Sequence, residues 1–158
     1  MPLFFALEPV HLSLVVKAHL DTWDPGELSV ILGQDFVTRF YELAMADPEV
    51  LAMGAAMDQG QAPCCWCLGF RHYSAFNRSL KQSLGMRLHL TTLARLVTGR
   101  LPLAMLMDTI SGPPVNRNAK ASESHLGAFG RMGEDFGEVL LLGKLTNHVA
   151  KLLCESNP

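Results

Sequence analysis

Two short apolar runs, 51–58 (LAMGAAMD) and 64–70 (CCWCLGF), flank the polar turn QGQAP. Short apolar runs on either side of a tight connection read as a β-hairpin, so an antiparallel pair sits in the middle of the chain. The rest must be arranged around that pair. LFFALE near the start reads as a short strand, and Pro9 opens a helix that runs through His19 or Leu20. DTWDPGE is loop, with Pro25 and Gly26 as breakers. Asp35 is the expected N-cap of a helix carrying Phe36, Phe40, Leu43 and Ala44 at helical spacing until Asp47 and Pro48 stop it.

After the hairpin, residues 73–110 read as helical, broken near Gly85 and again from Gly99 to Pro102. Leu84, Leu88, Leu93, Leu96 and Val97 mark one apolar face there. SGPPVNRNAKASE is loop by composition, SHLGAFGRM alternates loosely as a strand, and GEDFG is a turn. The order β-α-α-β-β-α-β-α predicts an α+β domain, a mixed sheet flanked by helices, over the whole of 1–158. At 158 residues with 49% apolar and 18% charged positions, the chain suits one compact domain with a sizeable core.

The N-terminal MPLFFALEPVHLSLVV has no basic leader and is interrupted by Glu8, Pro9 and His11, so no signal peptide is expected. No stretch reaches the roughly 18 apolar residues of a membrane span. The four cysteines are then expected as thiols, and the location as cytoplasmic. The net charge of −2 is unevenly spread. From Gln59 to Met107 there is no Asp or Glu, while Arg71, Arg78, Lys81, Arg87, Arg95 and Arg100 fall inside that span. Such a span suits an anionic ligand, an acidic partner or a membrane surface, or is simply the solvent face of a helical hairpin. With a pI near 6.3, nucleic acid is not an expected partner.

Residues 32–70 (LGQDFVTRFYELAMADPEVLAMGAAMDQGQAPCCWCLGF) resemble the N-terminal half of GCN5-related N-acetyltransferases. In that family a helix ending in an ADP turn leads into two antiparallel strands. ESHLGAFGRMGEDFG is similar to the family's fourth strand and following loop. The likeness covers residues 3–137, with 73–110 as a helical insertion after strand three, and implies a fold incomplete at its C-terminus. It implies acetyl-CoA or another acyl-CoA as cofactor and transfer of the acyl group to an amine. Glu123 or His125 would be the general base. Backbone groups near Phe129 and Arg131 would hold the thioester, and Gly137 belongs to the phosphate loop.

That loop departs from the family pattern. Phe136 stands where an Arg or Gln is usual, Gly137 alone remains of the glycines, and Glu134, Asp135 and Glu138 crowd the helix start. Carboxylates there satisfy the helix dipole themselves and repel a pyrophosphate. The expected affinity for acetyl-CoA is weak or nil, and the alternative reading is a non-catalytic module acting through protein association or a hydrophobic ligand.

The tail can be placed in two ways. VLLLGKL can be a fifth strand followed by a late helix, TNHVAKLLCES, in which Cys154 takes the place of the family's proton-donating Tyr. Alternatively 138–155 is one helix. Strands four and five are parallel in the family, and five residues of GEDFG cannot make a parallel crossover. Leu141, Leu142, Leu145, Val149, Leu152 and Leu153 also fall on one helical face, so the single helix is preferred. A homodimer, or a second chain that completes the fold, is then the expected partner.

Cys64, Cys65 and Cys67 invite a metal reading, but zinc sites show paired spacings that are absent here. On a strand Cys65 and Cys67 share one face, so core packing is expected and no metal.

Overall fold

The structure, a computed structural model, describes residues 3–57, 62–99, 101–102, 125–131 and 136–155. The chain runs β1 (Leu3–Ala6), a 3-10 turn (Pro9–His11), α1 (Leu12–Thr22), α2 (Leu28–Leu32), α3 (Gln34–Ala46), β2 (Val50–Ala56) and β3 (Cys65–Phe70). It continues through α4 (Tyr73–Val97) and β4 (His125–Arg131) to α5 (Phe136–Glu155). One sheet in the order β1-β2-β3-β4 joins the strands, each neighbouring pair antiparallel. The molecule is α+β, as expected. The parallel pair that a mixed sheet requires is not found among the described residues.

The hairpin is β2 and β3, with Val50 opposite Phe70 and Ala55 opposite Cys65. Helices cover both faces of the sheet, which is why its central strand is apolar throughout instead of alternating. Trp66, Leu68 and Phe70 face one core with Val15 and Val16 of α1, Val37 and Tyr41 of α3, and Phe76 and Leu80 of α4. Cys65 and Cys67 face the other with Leu141, Leu145, Val149 and Leu153 of α5. These four α5 residues are 5% exposed or less. Burial of each contributes roughly 1.5–3 kcal/mol, enough to outweigh the poor propensity of Gly143. The tail is therefore one helix, lying across β2, β3 and β4.

Local chemistry sets the ends of the elements. Pro9 opens the 3-10 turn, and the Glu8 N–H donates to His11 Nδ1 at 3.0 Å. α1 runs two residues beyond Leu20, into the expected loop, until the Trp23 N–H closes on His19 O. Asp35 is not the N-cap of α3. Gly33 holds that position with φ 92°, a left-handed conformation open to glycine, and Asp35 lies in the first turn where its carboxylate favours the dipole. Asp47 ends α3, its Oδ1 accepting from the Glu49 N–H at 2.9 Å.

α4 departs most from expectation. Gly85, with φ 48° and ψ −135°, breaks the helical path, so the two halves do not share one apolar face. Phe76 and Leu80 are buried, Leu84 packs at the edge of the core, and Leu88 and Leu96 are half-buried. Leu93 and Val97, expected on the same face, are instead 57% and 79% exposed. Gly99, with φ 68°, ends α4 by donating its N–H to Leu96 O, and Leu101 is buried just beyond. No helix among the described residues is long and apolar enough to cross a membrane.

Candidate functional site

β4 and the start of α5 carry most of the residues singled out in the sequence. Cys65 pairs with Arg131, Trp66 with Gly130 and Cys67 with Phe129, whereas Gly69 pairs with Leu126 and Phe70 with His125. From Cys67 to Gly69 β3 advances two residues while β4 advances three from Leu126 to Phe129. Gly127 and Ala128 thus oppose Leu68 alone, and the ladder is interrupted there. Such a bulge leaves backbone groups outside the ladder and turns the strand, a device common beside active sites.

The sequence-derived residues are distributed about that bulge. His125 begins β4, two residues before it, beside Phe70 at the end of β3 from which α4 departs. The Phe70 ring in turn meets Tyr73 edge-on at 5.3 Å. Phe129 follows the bulge, and Arg131 ends the strand about 20 Å from His125 at the rise of an extended chain. Gly137 lies in the first turn of α5, so the structure brings Arg131 and Gly137 to one end of the sheet and leaves His125 at the other. Glu138 shares that first turn. Glu123, Glu134 and Asp135 lie outside the described residues.

Gly130 shows how closely this strand is approached. A Cβ there would collide with Cζ2 and Cη2 of Trp66. Gly69 does the same on the opposite face, where a Cβ would come within 2.6 Å of Val149 Cγ1. The two glycines let the indole and α5 seat directly on the sheet.

A largely buried polar chain lies under the sheet, and no local pattern in the sequence marks it. Trp66 Nε1–H donates to the Tyr41 hydroxyl at 2.8 Å, Tyr41 is 3.0 Å from His19 Nδ1, and His19 Nε2 is 2.9 Å from Ser29 Oγ. His19 also stacks on Trp23 at 4.2 Å. The arrangement resembles a nucleophile–base pair, but the tautomer argues against that role. Tyr41 is fully buried and its oxygen already accepts from Trp66, so its own proton must go to His19 Nδ1. An unmet hydroxyl proton there would cost about 1–3 kcal/mol. His19 Nε2 then carries the hydrogen and donates to Ser29, leaving no lone pair to take the serine proton. Burial lowers the His19 pKa to about 4 and pushes that of Tyr41 above its ordinary range, so both stay neutral. The chain is a structural lock.

Cys65 and Cys67 are fully buried, and burial pushes the Cys67 thiol up to about 12. A thiol held neutral is a poor nucleophile and a poor metal ligand. Among the described residues no three His, Cys, Asp or Glu side chains converge as ligands for an ion.

Open clefts among the described residues include two along the helices. One, of about 430 Å³, is lined by Ser74, Asn77, Arg78, Lys81 and Gln82 along the first half of α4. Its two cations and three polar groups suit an anion, and they belong to the acid-free span. The other, of about 510 Å³, lies between α1 and α3, where Lys17 and Asp21 offset one another in charge. Compared with known proteins, the chain matches no family model, no curated protein and no solved structure.

Proposed function

We propose that this chain is an acyl-CoA-dependent N-acyltransferase-like protein that takes its thioester along β4. The bulge at Gly127 and Ala128 carries the reading. It frees backbone groups in the strand where a GCN5-related enzyme holds the acyl carbonyl and pantetheine arm, next to Phe129. Within a link of residues 132–135 the chain then enters α5, whose N-terminal N–H groups point along a dipole that favours a pyrophosphate. Phe129, Arg131 and Gly137 are the cofactor-side residues on this reading.

The reaction would be attack of an acceptor amine on the thioester carbonyl of acetyl-CoA or another acyl-CoA. His125 or Glu123 would take the amine proton, the C–S bond would break, and CoA would leave as a thiol after gaining a proton. A cytoplasmic location, where acyl-CoA is made and used, fits this chemistry.

Glu134, Asp135 and Glu138 oppose it. Each close like-charge contact costs on the order of 1 kcal/mol at intermediate dielectric, so affinity for acetyl-CoA should be low. Calorimetric titration with acetyl-CoA tests the reading, together with a CoA-release assay over a panel of amines. Weak heat that grows when Glu134, Asp135 and Glu138 are neutralised, and CoA release that falls on His125→Ala, are the expected results. No binding by wild type or by a variant relieved of the three acids sinks the proposal.

A second reading, a module that associates with proteins and does no chemistry, is favoured by a separate observation. Four large apolar side chains stand exposed in one row on α4.

A further inference from the structure

The groove between α1 and α3 has an apolar floor and a rim that carries both signs of charge. Leu12, Val16 and Leu20 follow one another every four residues along α1, and all three border the groove. Val16 is buried, and Leu12 and Leu20 are half-buried against the core, so packing fixes the floor. On the rim are Lys17 and Asp21, both exposed, with Thr38 on the α3 side. The volume of about 510 Å³ lies within the roughly 300–1,000 Å³ of small-molecule sites.

The fold uses neither charge. Lys17 and Asp21 form no ion pair or side-chain hydrogen bond with each other or with any other described residue. Lys151 and Glu155 have the same spacing of four and do pair, at 3.7 Å. Aspartate is one methylene shorter than glutamate, so the same spacing leaves a gap beside Lys17. Asp21 also lies in the last turn of α1, where a carboxylate works against the helix dipole. Asp24, just beyond, accepts from the Gly26 N–H at 2.7 Å, whereas Asp21 has no such task. A residue that breaks a local rule without a compensating contact is the kind found at functional sites.

The two signs select the ligand. A fatty acid would bring its carboxylate to Lys17 and meet repulsion from Asp21. An apolar amine would meet the converse from Lys17. A neutral apolar molecule would cover the floor, draw nothing from either charge and strip water from both. A molecule with an ammonium and a carboxylate on one carbon satisfies both charges at once, its side chain lying on Leu12, Val16 and Leu20. Its ammonium gains the negative end of the α1 dipole as well as Asp21.

We propose that the α1–α3 groove binds an apolar α-amino acid as the free zwitterion. Among the described residues none of β4 or α5 lines the groove, and the test needs no acyl-CoA, so its outcome is separate from that of acyl transfer.

Calorimetric titration of the full chain with L-leucine should show saturable binding. N-acetyl-L-leucine lacks the ammonium, L-leucinamide lacks the carboxylate and glycine lacks the side chain, and each should bind at least tenfold more weakly. Lys17→Gln should weaken leucine binding at least tenfold and abolish its advantage over leucinamide. Asp21→Asn should weaken it likewise and abolish its advantage over N-acetyl-leucine. Both side chains are exposed, so the melting midpoint should not fall in either variant. Absence of saturable leucine binding by the folded wild type overturns the proposal, as does equal affinity for leucine and any of the three analogues. Leucine binding that neither substitution weakens also overturns it. Tighter binding of N-acetyl-leucine or leucinamide than of leucine would assign the groove to an acid or an amine and overturn it too.

Discussion

His19 is held by groups from three separate stretches of chain: Trp23 just beyond its own helix, Ser29 of α2 and Tyr41 of α3. Nothing in its sequence neighbourhood announces them. A histidine in an apolar helix looks the same whether its partners exist or not, and Tyr41 lies 22 residues away. The consequence is a pH dependence of stability. The folded imidazole titrates near 4 and the unfolded one near 6.5. Between those values the unfolded chain binds a proton that the folded chain does not. Stability contributed by this group is full above pH 6.5 and falls as the pH drops towards 4, by up to about 3 kcal/mol. Urea unfolding at pH 7 and pH 4.5 should show the loss in wild type and a smaller one in His19→Gln. Equal losses in both would remove His19 from the account. Tyr41→Phe should cost about 2–4 kcal/mol at pH 7, because it strands the Trp66 N–H and removes the partner of His19 Nδ1.

At the scale of elements, the features legible in the sequence were those fixed by period and by chain length. The hairpin followed from two apolar runs about a short turn, and the single terminal helix from the spacing of Leu141, Leu145, Val149 and Leu153. Asp35, a good capping residue, stands inside the first turn of α3, while the left-handed Gly33 occupies the N-cap position with no side chain to bond the free N–H groups. The apolar face assigned to α4 was wrong because periodicity tells which residues align and not which face is covered, and because Gly85 resets the phase. The close seating of α5 and Trp66 on the sheet was also hidden, since a glycine in a strand has many uses. Three substitutions check it. Gly69→Ala and Gly130→Ala force Val149 and Trp66 to move and should each destabilise by about 1–3 kcal/mol. Gly143→Ala, in α5 with nothing within 4 Å of the new Cβ, should instead stabilise by about 0.5–1 kcal/mol. Melting midpoints should move in opposite directions, and a destabilising Gly143→Ala would mean that α5 is not the regular helix described.

Over the whole molecule, the sheet places β4 at one side, and its outer edge has no strand partner among the described residues. An edge of that kind recruits further strands. Light scattering across a range of concentrations should give a dimer, unaltered by substitutions in the exposed row of α4, and a mass that stays monomeric throughout would contradict it. The candidate site was only partly legible. The sequence marked β4 and the helix after it, but the bulge depends on pairing with β3 and has no local signature. On the proposed function, β4 and the start of α5 form an acyl-CoA site weakened by its own carboxylates. Its most direct test is calorimetric titration of acetyl-CoA into wild type and into Glu134→Gln/Asp135→Asn/Glu138→Gln. Weak binding by the wild type, tightened at least tenfold in the triple variant, is the predicted result. Absence of binding by both, with the triple variant folded as judged by its melting curve, would contradict it.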